Sequence, residues 1–191
     1  MVLACPSLSD MLVLSALLAL AIVAALSYTV GKKPYGYLGL RDLSVLIFFG
    51  WLGVNGSQYL QSHLLTFSDL LPATACGLLA AAVLNVNNMR DIDSDRLNGK
   101  YTLAVRLGAV NARRYHTMLL AGAMLCFAAF ALLAAQSAGS WLFILALPLI
   151  VRQGRHILRE PTARAMRPML EKTVKMALLV NILFAVGLVL R

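Results

Sequence analysis

The 191-residue sequence is 60% apolar, has a mean hydropathy of +0.78 and contains only 13% charged residues. Soluble domains are about half apolar and about a quarter charged, so this composition excludes an ordinary soluble domain, a disordered chain and a nucleic-acid-binding domain. The 17 Lys and Arg residues against eight Asp and Glu residues give a net charge of +9, which in so apolar a chain indicates membrane topology.

Six apolar segments follow one another along the chain, and a membrane-spanning helix needs about 20 such residues. The first, Met11–Val30, follows ten residues without Lys or Arg, unlike a secretory signal peptide. We therefore predict an all-α integral membrane bundle that forms a single transmembrane domain over residues 1–191. The other predicted spans are Leu43–Leu60, Leu70–Val86, Thr117–Gln136, Ser140–Val151 and Thr173–Leu190.

The basic residues fall in alternate loops. The segments after the first, third and fifth spans hold 15 of the 17 Lys and Arg residues, and the segments between hold none. Because basic loops stay in the cytoplasm, this pattern predicts both termini outside. An odd number of upstream spans would explain an outside amino terminus, so we expect Met1 to be an internal start or the edge of a fragment.

Three of the eight acidic residues lie together just past the third span, in the segment Asn87-Asn88-Met89-Arg90-Asp91-Ile92-Asp93-Ser94-Asp95-Arg96. If that span continues as a helix, Asn87, Asp91 and Asp95 recur every four residues and share one face, whereas Asp93 points elsewhere. Stacked carboxylates repel each other. We therefore expect a cation to compensate them.

The spacing of the acids resembles the first half of a calcium-binding EF-hand loop, but Arg96 replaces its glycine and Thr102 its glutamate. Oxygen ligands that leave open positions suit Mg²⁺, which proteins share with substrate phosphates. Basic side chains nearby could hold a diphosphate: Arg90, Arg96, Lys100 and Arg106. From these residues alone, an acid and base patch that caps a helix at the headgroups is an equal alternative.

A longer motif around these acids resembles the second Asp-rich motif of UbiA-type intramembrane prenyltransferases. It reads Asn87-Asn88-x-Arg90-Asp91-x-x-x-Asp95-x-x-x-Gly99-Lys100-x-Thr102-Leu103-x-x-Arg106-Leu107-Gly108. Two further stretches favour the branch that prenylates 1,4-dihydroxy-2-naphthoate in menaquinone synthesis. They are Tyr28-Thr29-x-Gly31-x-x-Pro34-Tyr35-Gly36-Tyr37-x-Gly39-Leu40-x-Asp42 and Arg167-Pro168-Met169-Leu170-Glu171-x-Thr173. The likeness runs over nearly all of the chain.

The resemblance implies a nine-helix bundle in which two Asp-rich loops face each other across a cavity, each holding Mg²⁺ against a polyprenyl diphosphate. The six predicted spans are similar to the last six of the nine. The family's first motif, Asn-Asp-x-x-Asp-x-x-x-Asp, is absent from these residues. We therefore expect the chain to be the carboxy-terminal part of a larger prenyltransferase domain, without half of the metal site.

The activity that the resemblance implies is transfer of a polyprenyl group to 1,4-dihydroxy-2-naphthoate with loss of CO₂, at the cytoplasmic side of the inner (cytoplasmic) membrane. Asp91 and Asp95 would be the catalytic metal ligands, with Asn87 assisting. The diphosphate would be bound first by Lys100 and then by Arg90 and Arg106. Tyr35 and Tyr37 would contribute to the pocket for the aromatic acceptor.

Two alternatives use the same residues. A small six-span transporter or a non-catalytic membrane protein could bind a cation at the acidic cluster. A transporter is expected to carry internal repeats or an ionisable residue within a span, and the sequence offers only Lys175 near a helix end. A prenyltransferase of the same family could also act on another aromatic acceptor.

Overall fold

The computed structural model describes residues 40–190 except 136 and 161, together with residues 11, 12, 15, 19, 22 and 23. The secondary structure of these residues is helical, without a strand. The helices, in chain order, are α1 (Arg41–Ser62), α2 (Leu70–Arg90), α3 (Ile92–Leu97), α4 (Leu103–Phe130), α5 (Leu147–Arg159) and α6 (Met166–Val189).

Several helices change their winding along their length. The middle of α1, Leu46–Asn55, is π-helical, and a π-helical segment, Ala131–Ala135, extends α4. Short 3-10 helices, Phe67–Asp69 and Gly139–Ala146, lead into α2 and α5. Gly108 has a φ of 73° and a ψ of 163°, a conformation open only to glycine, and it kinks α4 near its start.

Five helical segments of the described chain are long and apolar enough to cross a membrane: Arg41–Ser62, Phe67–Arg90, Leu103–Ala135, Gly139–Arg159 and Met166–Val189. They coincide with the second to sixth predicted spans, which confirms the prediction of an all-α membrane bundle. The first predicted span, Met11–Val30, lies mostly outside the described residues. Those of its residues that are described are helical.

The helices extend beyond the predicted spans where basic residues flank the apolar segments. Helix α4 begins at Leu103 rather than Thr117, α5 continues to Arg159, and α6 begins at Met166 rather than Thr173. Lys and Arg are good helix formers, so a charge ends the apolar span without ending the helix. The helices therefore project beyond the apolar segments.

Small residues and aromatic rings pack the bundle. Helix α2 buries alanine and glycine, which let neighbouring helices approach closely, and α1 contacts it where Gly50 meets Gly77. The ring of Phe127 on α4 lies 5.6 Å from that of Phe143 and 4.3 Å from that of Phe184 on α6, centroid to centroid. These contacts fix α4, α6 and the 3-10 helix that leads into α5 relative to one another.

The basic segments after the third and fifth predicted spans meet at one end of the bundle. A cavity of about 180 Å³ there is lined by residues of α2, α3, the start of α4 and the segment before α6. Asp93 and Arg113 both line it, together with Ala163. This end of the bundle therefore carries the acidic motif and many of the basic residues.

Candidate functional site

The acidic motif lies where α2 gives way to α3. Asp91 leaves the helical conformation, with a φ of −100° and a ψ of 10°, but the main-chain hydrogen bonds continue across it. The Asp91 N–H donates to the carbonyl of Asn87 at 3.2 Å, and the Asp95 N–H donates to that of Asp91 at 2.8 Å. Asn87, Asp91 and Asp95 are half-buried, whereas Asp93 is exposed. The break in the helix at Asp91 therefore preserves the four-residue spacing of Asn87, Asp91 and Asp95. Asp93 differs from these three residues in being exposed.

The guanidinium of Arg90 donates hydrogen bonds to both carboxylate oxygens of Asp91. Its Nε donates to Oδ1 at 2.7 Å and its Nη2 to Oδ2 at 2.6 Å. These bonds, together with the positive charges of Arg90, Arg167 and Lys100, hold the pKa of Asp91 below its ordinary value, although burial opposes them. The charge of Asp95 also acts on Arg90. Asp91 is therefore ionised at neutral pH.

The chain places Lys100 by a turn at the end of α3. The Gly99 N–H donates to the carbonyl of Arg96 at 3.2 Å, and the Lys100 N–H donates to that of Asp95 at 2.8 Å. This pair of bonds is the Schellman motif, which needs a left-handed residue after the helix. Gly99 supplies it with a φ of 68°. The motif folds the chain back, and the charge of Lys100 acts on Asp91.

Arg167, on the first turn of α6, is a site residue that the sequence analysis did not assign. Its charge acts on Asp91 although the two residues are far apart in sequence. The Arg167-Pro168 segment carried part of the family resemblance, which is the one signal that pointed to it. Arg106 is exposed, as Arg167 is, and donates its Nε to the carbonyl of Tyr101 at 3.1 Å. The structure thus gathers Arg90, Lys100 and Arg167 around Asp91.

The oxygen donors of the site are two carboxylates and one amide. Within the described part of the chain, no three His, Cys, Asp or Glu side chains lie close enough to hold a metal ion together. A metal here would therefore depend on Asp91, Asp95 and Asn87 and on oxygens from outside the chain, such as phosphate or water. This donor set is all oxygen, as Mg²⁺ requires.

Two further asparagines on α2 are buried behind the acidic motif. Asn85 donates its Nδ2 to the carbonyl of Ala112 on α4 at 2.9 Å. Asn88 is 1% exposed, and its Nδ2 has no hydrogen-bond partner among the described residues. A buried amide without a partner is costly, and such groups are few in folded proteins. The polar character of the motif therefore extends into the bundle.

Tyr35 and Tyr37, which the resemblance assigns to the aromatic pocket, lie outside the described residues. Of the segment 28–42 that carries them, the structure describes the end, which includes Leu40 and Asp42. Asp42 is 5% exposed, and Tyr115 of α4 lies beside it. The described end of this stretch therefore belongs to the bundle, at the start of α1.

Comparison with known proteins identifies the family of the chain. The chain matches the UbiA prenyltransferase family over residues 1–188. It is 60% identical over 187 residues to a 1,4-dihydroxy-2-naphthoate octaprenyltransferase of Escherichia coli (strain K12), covering 98% of this chain and 61% of that protein. Its identity to the Haemophilus influenzae protein of the same name is 50% over 184 residues, covering 96% of this chain and 60% of that protein.

A more distant relative is the human UbiA prenyltransferase domain-containing protein 1, with 32% identity over 161 residues, or 84% of this chain and 46% of that protein. No solved structure matches the chain. The chain spans about three fifths of the length of the two bacterial relatives. The family match extends over almost every residue, and the chain belongs to the UbiA prenyltransferase family.

Proposed function

We propose that the protein transfers a polyprenyl group from its diphosphate to 1,4-dihydroxy-2-naphthoate, with loss of CO₂, to give the reduced (quinol) form of demethylmenaquinone in menaquinone biosynthesis. The bacterial relatives bear the name of this activity, at 60% and 50% identity. The observation that carries the proposal is the ionised Asp91, half-buried at the end of a membrane helix and surrounded by Arg90, Lys100 and Arg167. Mixed charge of this kind suits a metal-bound diphosphate.

The oxygens of Asp91, Asp95 and Asn87 would hold Mg²⁺. A carboxylate offers about four lone-pair sites, so the two bonds from Arg90 leave Asp91 able to accept a further ligand. Mg²⁺ usually takes one or two protein carboxylates and completes its coordination with substrate phosphates and water. When bound, the ion would supply positive charge against the diphosphate leaving group.

The basic side chains would bind and orient the diphosphate. Lys100, placed by the turn at Gly99, and Arg90 lie beside Asp91, and Arg106 begins the next helix. As the bond between the allylic carbon and the diphosphate oxygen breaks, negative charge grows on that oxygen. Fixed cations stabilise this charge without reorganising, which lowers the barrier. The ring carbon beside the carboxylate-bearing carbon then bonds to the allylic carbon and loses its proton. The carboxylate leaves the neighbouring carbon as CO₂, and that carbon takes up a proton in its place.

The polyprenyl chain needs no polar site. It is hydrocarbon, like the bilayer interior, so the apolar surface of the spans and the surrounding lipid can hold it while only the diphosphate reaches the polar end of the bundle. We place that end on the cytoplasmic side of the inner membrane, because most basic residues of the chain flank it.

The proposal is tested by assaying the full-length protein, as its gene encodes it, in detergent with Mg²⁺, octaprenyl diphosphate and naphthoate labelled at its carboxylate. We expect labelled CO₂ and the prenylated naphthol in equal amounts. Prenyl transfer that prefers another aromatic acceptor would place the protein elsewhere in the family. Absence of transfer to any aromatic acceptor would refute the proposed activity.

A further inference from the structure

The outward surface of α5 changes from apolar to basic within its 13 residues. A groove of about 730 Å³ along it is lined first by Ile144, Leu147, Pro148 and Val151 and then by Arg152, Arg155, His156 and Arg159. A second groove of about 450 Å³, between α5 and α6, shares Arg152 and His156 and adds Lys172. We call the surface formed by Arg152, Arg155, His156, Arg159 and Lys172 the basic groove.

The positive charges of the basic groove are not balanced by acids. Arg152, Arg155, Arg159 and Lys172 make no ion pair with any residue of the chain that the structure describes. Lys175, at the edge, is already paired with Glu171 at 2.5 Å. The carboxylate of Glu160 accepts hydrogen bonds from Thr162. The groove therefore presents four uncompensated cations to an anionic ligand.

The basic groove lies apart from the acidic motif. Lys172 lines the groove, whereas Arg167, on the same helix α6, acts on Asp91. They are five positions apart in the sequence, which corresponds to about 140° around a helix with 3.6 residues per turn. Thr173, the residue after Lys172, is fully buried, and its hydroxyl accepts from the Nε2 of Gln153 on α5. The cations of the groove therefore face a different side of α6 from the cations around Asp91.

The groove also has the composition of a lipid site. Leu147, Leu149 and Val151 are about two fifths exposed, at 41%, 42% and 39%, directly before the arginines in the sequence. The arginines occupy the last turns of the candidate span Gly139–Arg159, where a bilayer has its headgroups. A soluble anion would need only the cations. An acyl chain would also use the apolar part of the same groove.

We propose that the basic groove binds an anionic phospholipid of the surrounding bilayer. The headgroup phosphate lies among Arg152, Arg155 and Lys172, and an acyl chain lies along Leu147 and Val151. Basic pockets between membrane helices bind anionic headgroups in this way. The site is independent of the prenyl diphosphate that we place at Asp91.

Native mass spectrometry of the full-length protein, titrated with phosphatidylglycerol or phosphatidylcholine in detergent, tests the proposal. We expect a preference for phosphatidylglycerol. A basic residue near an anionic surface contributes about a fivefold change in affinity, so Arg152→Gln with Arg155→Gln should weaken phosphatidylglycerol binding by about 25-fold. Lysines at both positions keep the charge and should retain most of the affinity.

The matched control removes two exposed arginines from the same end of the bundle, Arg114→Gln with Arg164→Gln, and should leave the preference unchanged. Gel filtration and circular dichroism verify that each variant is folded. If the control and the groove variant lose the same phosphatidylglycerol affinity, the effect comes from net charge alone, and the proposed lipid site is wrong. Displacement of the lipid from the wild type by millimolar inorganic phosphate would assign the groove to a soluble anion and overturn the lipid assignment.

Discussion

The guanidinium of Arg90 binds both carboxylate oxygens of its neighbour Asp91, at 2.7 and 2.6 Å, across the point where α2 ends. Adjacent residues in an uninterrupted helix point in different directions and do not pair in this way. The departure of Asp91 from helical geometry therefore accompanies the pair. The pair holds an ionised carboxylate in place at the end of the bundle that carries the acidic motif.

Substitution of Arg90 by Gln should raise the pKa of Asp91 towards its ordinary value of 3.8, because the two hydrogen bonds and the positive charge of Arg90 are lost. In the wild type the lowered pKa stabilises the fold above the ordinary pKa, and this stabilisation disappears as the pH falls through the lowered value. The variant should therefore lose stability less steeply below about pH 4. Infrared titration of ¹³C-labelled aspartate, compared with the variant that also carries Asp91→Asn, measures the pKa. Arg96→Gln is the control, and an equal shift in it would contradict the assignment.

Substitution of Arg167 by Gln should weaken binding of the prenyl diphosphate. The charge of Arg167 reaches Asp91 from another helix, so its loss should raise the KM for polyprenyl diphosphate by about fivefold or more and leave the KM for the naphthoate nearly unchanged. Steady-state kinetics with each substrate varied separately provide the measurement. Arg164→Gln removes an exposed arginine three residues earlier and serves as the control. If both variants behave alike, Arg167 has no specific part in the site.

Gly99 should tolerate asparagine better than alanine. Its φ of 68° costs a residue with a side chain about 1–2 kcal/mol, and asparagine accepts this conformation more readily than alanine does. Gly99→Ala should therefore disturb the turn that places Lys100 and reduce diphosphate affinity, whereas Gly99→Asn should retain more of it. Equilibrium binding of inorganic diphosphate in the presence of Mg²⁺ compares the two. Equal affinity in both variants would show that the turn does not position Lys100.

Gly50 permits the close contact of α1 with α2. A Cβ atom at this position would lie 2.6 Å from the carbonyl oxygen of Ala73 and 3.0 Å from the Cα of Gly77, so the backbones would have to separate. Gly50→Ala should destabilise the protein by about 1–3 kcal/mol. Gly56→Ala, on the same helix with open space around its Cβ, should be neutral or slightly stabilising. Thermal unfolding in detergent distinguishes them, and a harmless Gly50→Ala would disprove the close contact.

The sequence predicted the features that depend on local composition. Apolar length located the second to sixth spans, and the four-residue spacing placed Asn87, Asp91 and Asp95 on one side. It did not reveal the pairing of Arg90 with Asp91, since that requires the backbone to leave the helix between them. The approach of Arg167 was also hidden, because it depends on how α6 packs beside α2.

Buried polar residues were equally hard to foresee. Asn85 and Asn88 lie on the buried side of α2, although their side chains are polar, and only the packing of α4 against that helix decides this. His116 of α4 is fully buried for the same reason. A single sequence locates an amphipathic or apolar helix. It does not specify which of its neighbours will cover each polar residue.

The most direct measurement compares Asp91→Asn and Asp95→Asn with Asp93→Asn in the Mg²⁺-dependent transfer reaction of the full-length protein. All three remove one charge from the same short segment, but of the three only Asp93 is exposed, and it lines the cavity that Arg113 also lines. We predict that Asp91→Asn and Asp95→Asn each lower product formation by about 100-fold or more, and that Asp93→Asn changes it by less than about threefold. Normal Mg²⁺-dependent transfer by the variant carrying both Asp91→Asn and Asp95→Asn would contradict the assignment of the site.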